Sequence, residues 1–471
     1  MSRATYVKTP VSSLGTRPAG AFGTRTMRAS SASPPQTSAS RRPDDISRIL
    51  RTMPRRVAIV GAGVTGLVAG RELARRGFSV ELYERWPDVA GQASAFEVAP
   101  GVWLERYYHH LFPSDREMIA LHDELLPGSL EWHRSSVGIY ARRRIWPFVS
   151  PRDLLAYGPL APLDRLRLGL AILRLVGRTD WERMDDIAAL DWLRGSCGPR
   201  AVETVWLPLL LGKFGDDAAD VPLAWLWSKF VLRRRLRGSG STSERLGYPR
   251  GSFRAICAAL SDDITRRGGR VHVDREVVRI EERDGGFVIR CADPGAYRRP
   301  LATAPDAGDG REGRADLVLL TTPTFVTRRL AELPYAFTNA LDAWTYRAAV
   351  VLLLELRRPY SAVYWLNVAD DAVPFLGVVE HTNLVPAERY PARYAYLSNY
   401  VAPDDLRRWS FREDAAQPVP RLGTRHRILP RRTPRRGVWL ANTTQIYPED
   451  RGTNYSVRLG REVAAEIAAD G

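Results

Sequence analysis

The sequence contains few cysteines and no long apolar run. Its three cysteines, Cys197, Cys257 and Cys291, stand far apart in 471 residues, and this spacing excludes a disulfide scaffold and a zinc ribbon. No stretch of about 18 apolar residues occurs, so no membrane-spanning helix is predicted. Hydrophobic residues make up 45% of the chain, which excludes a wholly disordered protein. We therefore expect a large cytoplasmic protein with two domains or lobes.

Lysine is also nearly absent, and arginine carries most of the positive charge. Only Lys8, Lys213 and Lys229 are lysines among 69 basic residues. The formal net charge is +16, and residues 1–56 hold +9 of it. Because most of the excess lies at one end of the chain, the charge predicts no nucleic-acid-binding surface.

Residues 1–52 form a basic tail rich in Ser, Thr, Pro, Ala and Arg, without hydrophobic periodicity. This composition predicts disorder. An acid-poor, Arg-rich start is also typical of an organellar transit peptide. A start codon assigned too early would give the same pattern, since Met53 stands directly before the first predicted strand.

A glycine-rich turn follows that strand. Residues 57–60 form a short apolar run typical of a buried parallel strand. The turn 61–66 reads Gly-x-Gly-x-x-Gly, and it is followed by a helix pattern to Arg76 and a second strand, Ser79–Tyr83. Glu84 ends this strand, where a carboxylate can accept both ribose hydroxyls of a dinucleotide. The full arrangement predicts a dinucleotide site.

Each residue type in the turn has a physical task. Gly61 permits the tight turn, Gly63 lets the backbone approach a pyrophosphate, and Gly66 allows the helix to pack closely on the strand. Val64 and Thr65 begin the helix, whose free N–H groups and positive dipole end hold anionic phosphates.

The segment after Glu84 resembles a known superfamily. The chain continues with Arg85 and a loop that contains Gly91 and Gln92. It is similar here to the flavoproteins that include amine oxidases, protoporphyrinogen oxidases, phytoene desaturases and UDP-galactopyranose mutases. In these proteins the strand leads to a Gly-Gly loop whose backbone contacts the FAD pyrophosphate and ribityl chain. Gly91 matches the first glycine of that loop, and Gln92 replaces the second.

Three later segments carry the same resemblance. Residues 248–253 and 316–323 resemble the parts of the family that return to the FAD domain, which implies that the backbone at Val277 meets the adenine side of FAD. Residues 437–442 stand where the family has a strand ending in Ala-Gly-Asp, and Asn442 replaces the Asp.

Residues 451–457 open a predicted C-terminal helix, and the resemblance places Asn454, Tyr455 and Ser456 beside the cofactor. In the family the N-terminus of this helix points at the pyrimidine edge of the flavin. Its N–H groups would stabilise the negative charge that develops when the ring is reduced.

The fold implied by the resemblance is α/β, with a discontinuous Rossmann-like FAD-binding domain and an inserted α+β substrate lobe. The FAD domain is assigned to residues 53–105, 246–330 and 430–471. The substrate lobe is assigned to residues 106–245 and 331–429.

Local patterns within the lobe predict helices first and strands later. The predicted helices are Ser114–Leu126, Ser150–Val176, Asp185–Arg194 and Pro199–Leu211, and the predicted strands are Ala348–Leu356 and Arg393–Tyr400. Residues 292–315 are predicted to be a polar loop. The segment 404–418 is shorter than the resemblance implies. The Leu- and Arg-rich part of the second helix fits a lobe surface or, less well, a peripheral contact with an anionic membrane.

His110 and Tyr108 are the candidate catalytic residues. They lie in residues 106–115, which resemble the flavin-facing segment of the mutases and protoporphyrinogen oxidases. His110 can exchange a proton near neutral pH or bind a substrate, and a purely structural role is the alternative. The remaining histidines show no ligand spacing, so no metal site is predicted. No lysine follows Lys229 to stand beside the flavin as in the amine oxidases, which disfavours amine oxidation.

Three functions remain open from the sequence. The first is an FAD-dependent oxidase, dehydrogenase or desaturase acting on a hydrophobic or cyclic small molecule, with an electron acceptor that the sequence does not identify. The second is a redox-neutral nucleotide-sugar mutase. The third is a flavin-binding protein without catalysis.

Overall fold

The computed structural model describes residues 54–237, 245–292, 311–370, 372–402, 405 and 410–470, without the side chains of 232–237. The predicted disordered tail, residues 1–52, lies outside the described residues.

A parallel sheet forms the first layer of the fold, as the apolar runs predict. The strands of the chain are β1 (Arg56–Val60), β2 (Ser79–Tyr83), β3 (Ala95–Ala99), β4 (Val102–Glu105), β5 (Leu130–Arg134), β6 (Val137–Ala141), β7 (Arg144–Pro147), β8 (Arg245–Pro249), β9 (Arg270–His272), β10 (Glu276–Arg283), β11 (Gly286–Ala292), β12 (Glu312–Ala315), β13 (Leu317–Leu320), β14 (Tyr346–Leu356), β15 (Trp365–Val368), β16 (Gly377–Glu380), β17 (Arg393–Val401), β18 (Phe411–Pro418) and β19 (Val438–Leu440). Five of them form the parallel sheet in the order β19-β13-β1-β2-β9. Strand order reverses at β1, and a crevice for a ligand opens at the carboxyl ends of the strands beside such a point.

Helices cover the sheets and build the lobe. They are α1 (Val64–Arg75), α2 (Arg116–Leu125), α3 (Pro151–Ala156), α4 (Pro162–Val176), α5 (Trp181–Met184), α6 (Ala189–Cys197), α7 (Pro199–Ala201), α8 (Leu207–Phe214), α9 (Leu223–Arg237), α10 (Ser252–Arg266), α11 (Thr324–Leu330), α12 (Tyr335–Asp342) and α13 (Thr453–Asp470). In the last helix, the side chains of Leu459, Val463 and Ile467 are buried in the core that α13 shares with α1.

A second large sheet stands in the lobe. Its seven strands follow the order β18-β14-β17-β16-β15-β6-β7, and a three-stranded antiparallel sheet joins β10, β11 and β12. The strands predicted over Ala348–Leu356 and Arg393–Tyr400 are present as β14 and β17. The division into domains stays a prediction.

The helix predicted over Ser150–Val176 is wrong as a single element. It consists of α3 and α4, separated by residues 157–161. Gly158 and Pro159 stand in the gap, and proline removes a backbone donor and disfavours helical geometry before it.

Two other lobe helices have different bounds from those predicted. The helix expected from Asp185 begins at Ala189, because Asp185 ends the preceding helix α5 and the backbone at Ala188 is extended, with φ −66° and ψ 129°. The helix expected over Pro199–Leu211 contains a π-helical turn at Val202–Trp206 and continues to the end of α8.

Residues 106–245 also contain strands that the helical prediction missed. β6 and β7 form a hairpin whose turn residues, Arg142 and Arg143, have φ values of 52° and 61°. Such turns favour Asn and Gly, so two arginines gave no turn signal. The predicted loop 292–315 is likewise wrong at its ends, where Ala292 and residues 312–315 belong to strands β11 and β12. Residues 293–310 lie outside the described part.

Helix α4 lies on the surface of the lobe. Its buried face contains Leu168, Ala171 and Leu175, and its exposed leucines are Leu163, Leu166, Leu170 and Leu173. This is the surface position that the sequence favours over a contact with a membrane. No helix of the described residues is long and apolar enough to cross a membrane. Cys197, Cys257 and Cys291 are buried free thiols.

Candidate cofactor and substrate site

One cavity of about 690 Å³ connects the carboxyl edge of the parallel sheet with the lobe. All sixteen residues predicted to bind the cofactor or to act in catalysis line it: Gly61, Gly63, Val64, Thr65, Gly66, Glu84, Arg85, Gly91, Gln92, Tyr108, His110, Val277, Asn442, Asn454, Tyr455 and Ser456. Their roles at a cofactor stay predictions, but the fold brings them together around a single space.

The glycine turn has the geometry that its sequence predicts. Gly61 has φ +105°, in the region that favours glycine. A Cβ atom at Gly66 would lie 2.0 Å from the carbonyl oxygen of Gly61, so the turn and helix α1 approach too closely for any side chain there. A Cβ at Gly63 would meet no atom within 4 Å and would occupy open space at the cavity wall. Backbone thus faces the cavity where a pyrophosphate must approach.

Glu84 is fixed beneath this turn. Its side chain accepts the backbone N–H of Ala62 at 2.8 Å and that of Trp86 at 3.0 Å, one on each carboxylate oxygen. The residue is 6% exposed, and burial raises the pKa of the carboxyl group, against the lowering effect of these two donors. Each oxygen keeps one lone pair that can accept a ribose hydroxyl.

The loop that contains Gly91 packs directly against the glycine turn. The N–H of Ala90 donates to the carbonyl of Ala62 at 2.8 Å, and a Cβ at Gly91 would lie 3.1 Å from the Cα of Gly63. Gln92 replaces the second family glycine and donates from Nε2 to the carbonyl of Ala415 at 2.9 Å. The departure at Gln92 therefore links the loop to strand β18.

Val277 lies at an irregularity in strand β10, where the pairing with β11 shifts register. Next to it, Arg275 also lines the cavity, and its backbone N–H donates to the carbonyl of Glu84 at 2.8 Å. Arg275 could not be predicted from a local pattern, because this contact joins two segments that are far apart in the chain.

Asn442 fixes the loop after β19. Its Oδ1 accepts from the N–H and the hydroxyl of Thr444, and its Nδ2 donates to the carbonyl of Thr322 at 2.9 Å. Only one N–H of the amide remains for another acceptor. A hydrogen bond from Asn442 to a ribityl or phosphate group would therefore use that single donor.

Asn454, Tyr455 and Ser456 lie in the first turn of α13, at the cavity. Asn454 Oδ1 accepts the N–H groups of Glu117 and Met118, at 2.9 and 3.2 Å. The Asn454 side chain thus caps helix α2, a role that the sequence did not reveal. The first turn of α13 lies at the cavity, and the N–H groups of a helix's first turn have no intrahelical partners.

His110 and Tyr108 stand on an aromatic wall of the cavity. The Nδ1 atom of His110 lies 3.0 Å from the hydroxyl of Tyr364, and Tyr108 donates to Ser398 Oγ at 3.3 Å. Both rings pack edge-on to Trp365, with centroid distances of 5.7 and 4.9 Å. Burial raises the pKa of the Tyr108 hydroxyl, so this group stays protonated near neutral pH.

The lobe end of the cavity holds a charged cluster that sequence reasoning missed. Lys213 and Lys229, the only lysines among the described residues, both donate to Oδ2 of Asp450, Lys213 at 2.8 Å. Gln417 donates to the other oxygen, Oδ1, at 3.1 Å. Burial alone would raise the pKa of Asp450, but the two ammonium groups hold it well below its usual value.

Arg451 completes this cluster. It donates from Nε to Gln417 Oε1 at 3.2 Å and from Nη2 to the Tyr400 hydroxyl at 2.7 Å. We call Lys213, Lys229, Asp450 and Arg451 the cationic cluster. Asp450 and Arg451 directly precede Gly452 and helix α13, so the cluster lies at the end of the cavity where the resemblance places the flavin ring.

The residues present fit FAD. The open space at Gly63 and the carboxylate of Glu84 suit a diphosphate and a ribose at one end. The start of α13 provides N–H groups at the other, and one cavity joins the two. Glu84, Gly63 and the N-terminus of α1 would hold the adenosine diphosphate part.

Comparisons with known proteins agree with this geometry. A family model described as flavin containing amine oxidoreductase matches residues 64–426. The chain is 27% identical over 308 residues to a carotenoid phi-ring synthase of Streptomyces griseus, covering 58% of this chain and 59% of that protein. It is 28% identical over 168 residues to a 15-cis-phytoene desaturase of Synechococcus elongatus, covering 31% and 34%. The matches thus span less than two thirds of each relative.

A solved structure of reduced UDP-galactopyranose mutase superposes with a TM-score of 0.63 at 14% identity, covering 88% of this chain and 96% of that one. At this identity the likeness concerns the fold. It confirms the predicted α/β fold with a Rossmann-like FAD-binding part and a substrate lobe.

Proposed function

The chain belongs to the flavin containing amine oxidoreductase family, and we propose that it is an FAD-dependent oxidoreductase that removes hydride from an apolar or cyclic small molecule. The observation that carries this proposal is the single cavity that runs from the glycine turn, past the start of α13, into the lobe. A cofactor and a substrate can therefore meet inside one continuous space.

The lobe end of the cavity supports an apolar substrate. Its lining there is rich in aromatic and aliphatic side chains: Trp206, Leu209, Leu210, Trp225, Leu226 and Phe230. Such a surface excludes water and gains free energy when it covers an apolar group. The names of the carotenoid relatives indicate apolar substrates, and an apolar substrate agrees with this lining.

When bound, FAD would supply the hydride acceptor. The protein's own residues would orient the substrate against the wall of Trp365 and Tyr108 and keep water out. The N–H groups at the start of α13 would stabilise negative charge at that end of the cavity. His110, whose Nδ1 atom lies 3.0 Å from the Tyr364 hydroxyl, would accept or donate a proton.

The purified holoprotein tests this proposal. We expect bound flavin that denaturation releases as FAD. We also expect anaerobic bleaching of its visible absorption band by an apolar fraction of a bacterial metabolite extract, and recovery of the band when oxygen or a quinone is added. A protein that binds FAD but is bleached by no fraction would contradict the proposal.

A mutase activity has no specific support, since the likeness to the mutase concerns the fold alone. Conversion of UDP-galactopyranose by the chemically reduced protein, without net oxidation, would favour the mutase and overturn the proposed oxidoreductase.

A further inference from the structure

The cationic cluster is more than an internal salt bridge. We propose that Lys213, Lys229 and Arg451 bind an anionic group, a carboxylate or a phosphate, at one end of an otherwise apolar substrate. This inference rests on the proposed function and adds the chemical class of its substrate: an amphiphile with an anionic head.

The charges of the cluster do not balance. Lys213, Lys229 and Arg451 provide three positive charges, and Asp450 opposes them with one. Glu413 also lines the cavity, and burial raises the pKa of its carboxyl group. Even with Glu413 ionised, these five residues together carry one net positive charge. Buried charges of one sign are costly unless a counter-charge is bound.

The two ammonium groups also keep hydrogen-bonding capacity. An ammonium has three N–H donors, and among the described residues Lys213 and Lys229 share one carboxylate oxygen as acceptor. Both line the cavity, with side chains 17% and 34% exposed. Their remaining donors can therefore reach a ligand without leaving Asp450.

Aromatic rings hold the lysines in place. The Nζ atoms of Lys213 and Lys229 each lie 4.9 Å from the centre of the Trp225 ring, and Lys213 lies 5.7 Å from that of Tyr400. These contacts stabilise the cations in a partly desolvated site. The same Trp225 belongs to the apolar lining, so the anion site adjoins the apolar surface.

The pKa of Lys229 is lowered to about 8, first by burial and also by the adjacent Lys213, while Asp450 opposes the shift. Lys229 is therefore still mainly charged at pH 7 and gains from a bound anion. The pKa of Lys213 is also lowered, again first by burial.

A ligand series with one chain length tests the inference. The probes are decanoate, decyl phosphate, decanol and decylamine, each titrated into the holoprotein and followed by the change in the flavin absorption spectrum. We expect an anionic probe to bind at least about tenfold more tightly than decanol, since hydrogen bonds to charged groups are the stronger ones. The two anions distinguish a carboxylate head from a phosphate head. Equal binding of all four probes would overturn the inference.

Variants locate the effect. Lys213→Met and Lys229→Met should lose the preference for the anion and keep the affinity for decanol, and Lys229→Arg should retain it. Lys8→Met, outside the described residues, is the matched control. An unchanged anion preference in both methionine variants would overturn the assignment. If neither variant folds, the series on the unmodified protein decides. Bound FAD that a substrate reduces, without any anion preference, would refute this inference and leave the proposed function intact.

Discussion

The two ends of the cavity are built in different ways. The glycine-turn end uses backbone from one short stretch, residues 57–66, with Glu84 fixed beneath it. The cationic cluster at the other end uses side chains from two distant parts of the chain, Lys213 and Lys229 in one and residues 450–451 in the other. The glycine-turn end depends on the absence of side chains at the glycines. The cationic cluster depends on a balance between neighbouring charged side chains. Substitutions should therefore affect the two ends differently.

The largest effect is expected from removing the central charge of the cationic cluster. Asp450→Asn leaves two neighbouring lysines without their shared carboxylate, and breaking a buried ion pair in this way costs about 3 kcal/mol or more. Urea unfolding would measure the loss in the free energy of unfolding. Asp191→Asn is the matched control, because Asp191 pairs with Arg194 on the surface, where a pair is worth about 0.5 kcal/mol. Equal losses in the two variants would contradict the account.

The next effect concerns space at the glycine turn. Gly66→Ala places a methyl group 2.0 Å from the Gly61 carbonyl oxygen, and such overpacking costs about 2 kcal/mol. Gly195→Ala is the control, because a Cβ there meets no atom within 4 Å and alanine favours the helix. We expect the midpoint of urea unfolding to fall in the first variant alone. An unchanged midpoint in Gly66→Ala would show that the turn is looser than this geometry requires.

A smaller effect should appear in the pH dependence of ligand binding at the cationic cluster. Lys229 loses its proton as pH rises through about 8, so decanoate affinity should fall between pH 7 and pH 9 by up to about tenfold. The charged or titratable groups that face Lys229 are Asp450, Lys213 and Tyr400. Lys229→Arg should remove the decrease, because arginine stays charged. The same decrease in this variant would assign it to another group.

The sequence could predict the first end of the cavity because its information is local. Gly61, Gly63 and Gly66 stand at fixed spacing between a strand and a helix, and Glu84 follows. This local pattern alone is enough to predict the conformation of the turn. The structure places these residues as that spacing predicts.

The cationic cluster could not be predicted in this way. Lys213 and Asp450 stand 237 positions apart, and only the packing of the lobe against α13 brings them together. The scarcity of lysine was the one signal in the sequence, since a residue type that is rare in the chain occurs twice at one site. The hairpin of β6 and β7 could not be predicted for a related reason. Its turn consists of two arginines, although such turns favour Asn and Gly, so the tertiary fold overrides the local preference there.

FAD binding at the glycine turn depends most on the close approach of the diphosphate to the backbone of Gly63. Equilibrium dialysis of FAD against the deflavinated protein, Gly63→Ala and Gly195→Ala measures this directly. A methyl group at Gly63 fills space that is open in the protein alone, so we expect Gly63→Ala to fold normally and to bind FAD at least about tenfold more weakly. The unmodified protein and Gly195→Ala should bind about one FAD per chain. Equal FAD affinity in all three, or no binding in any, would contradict the account.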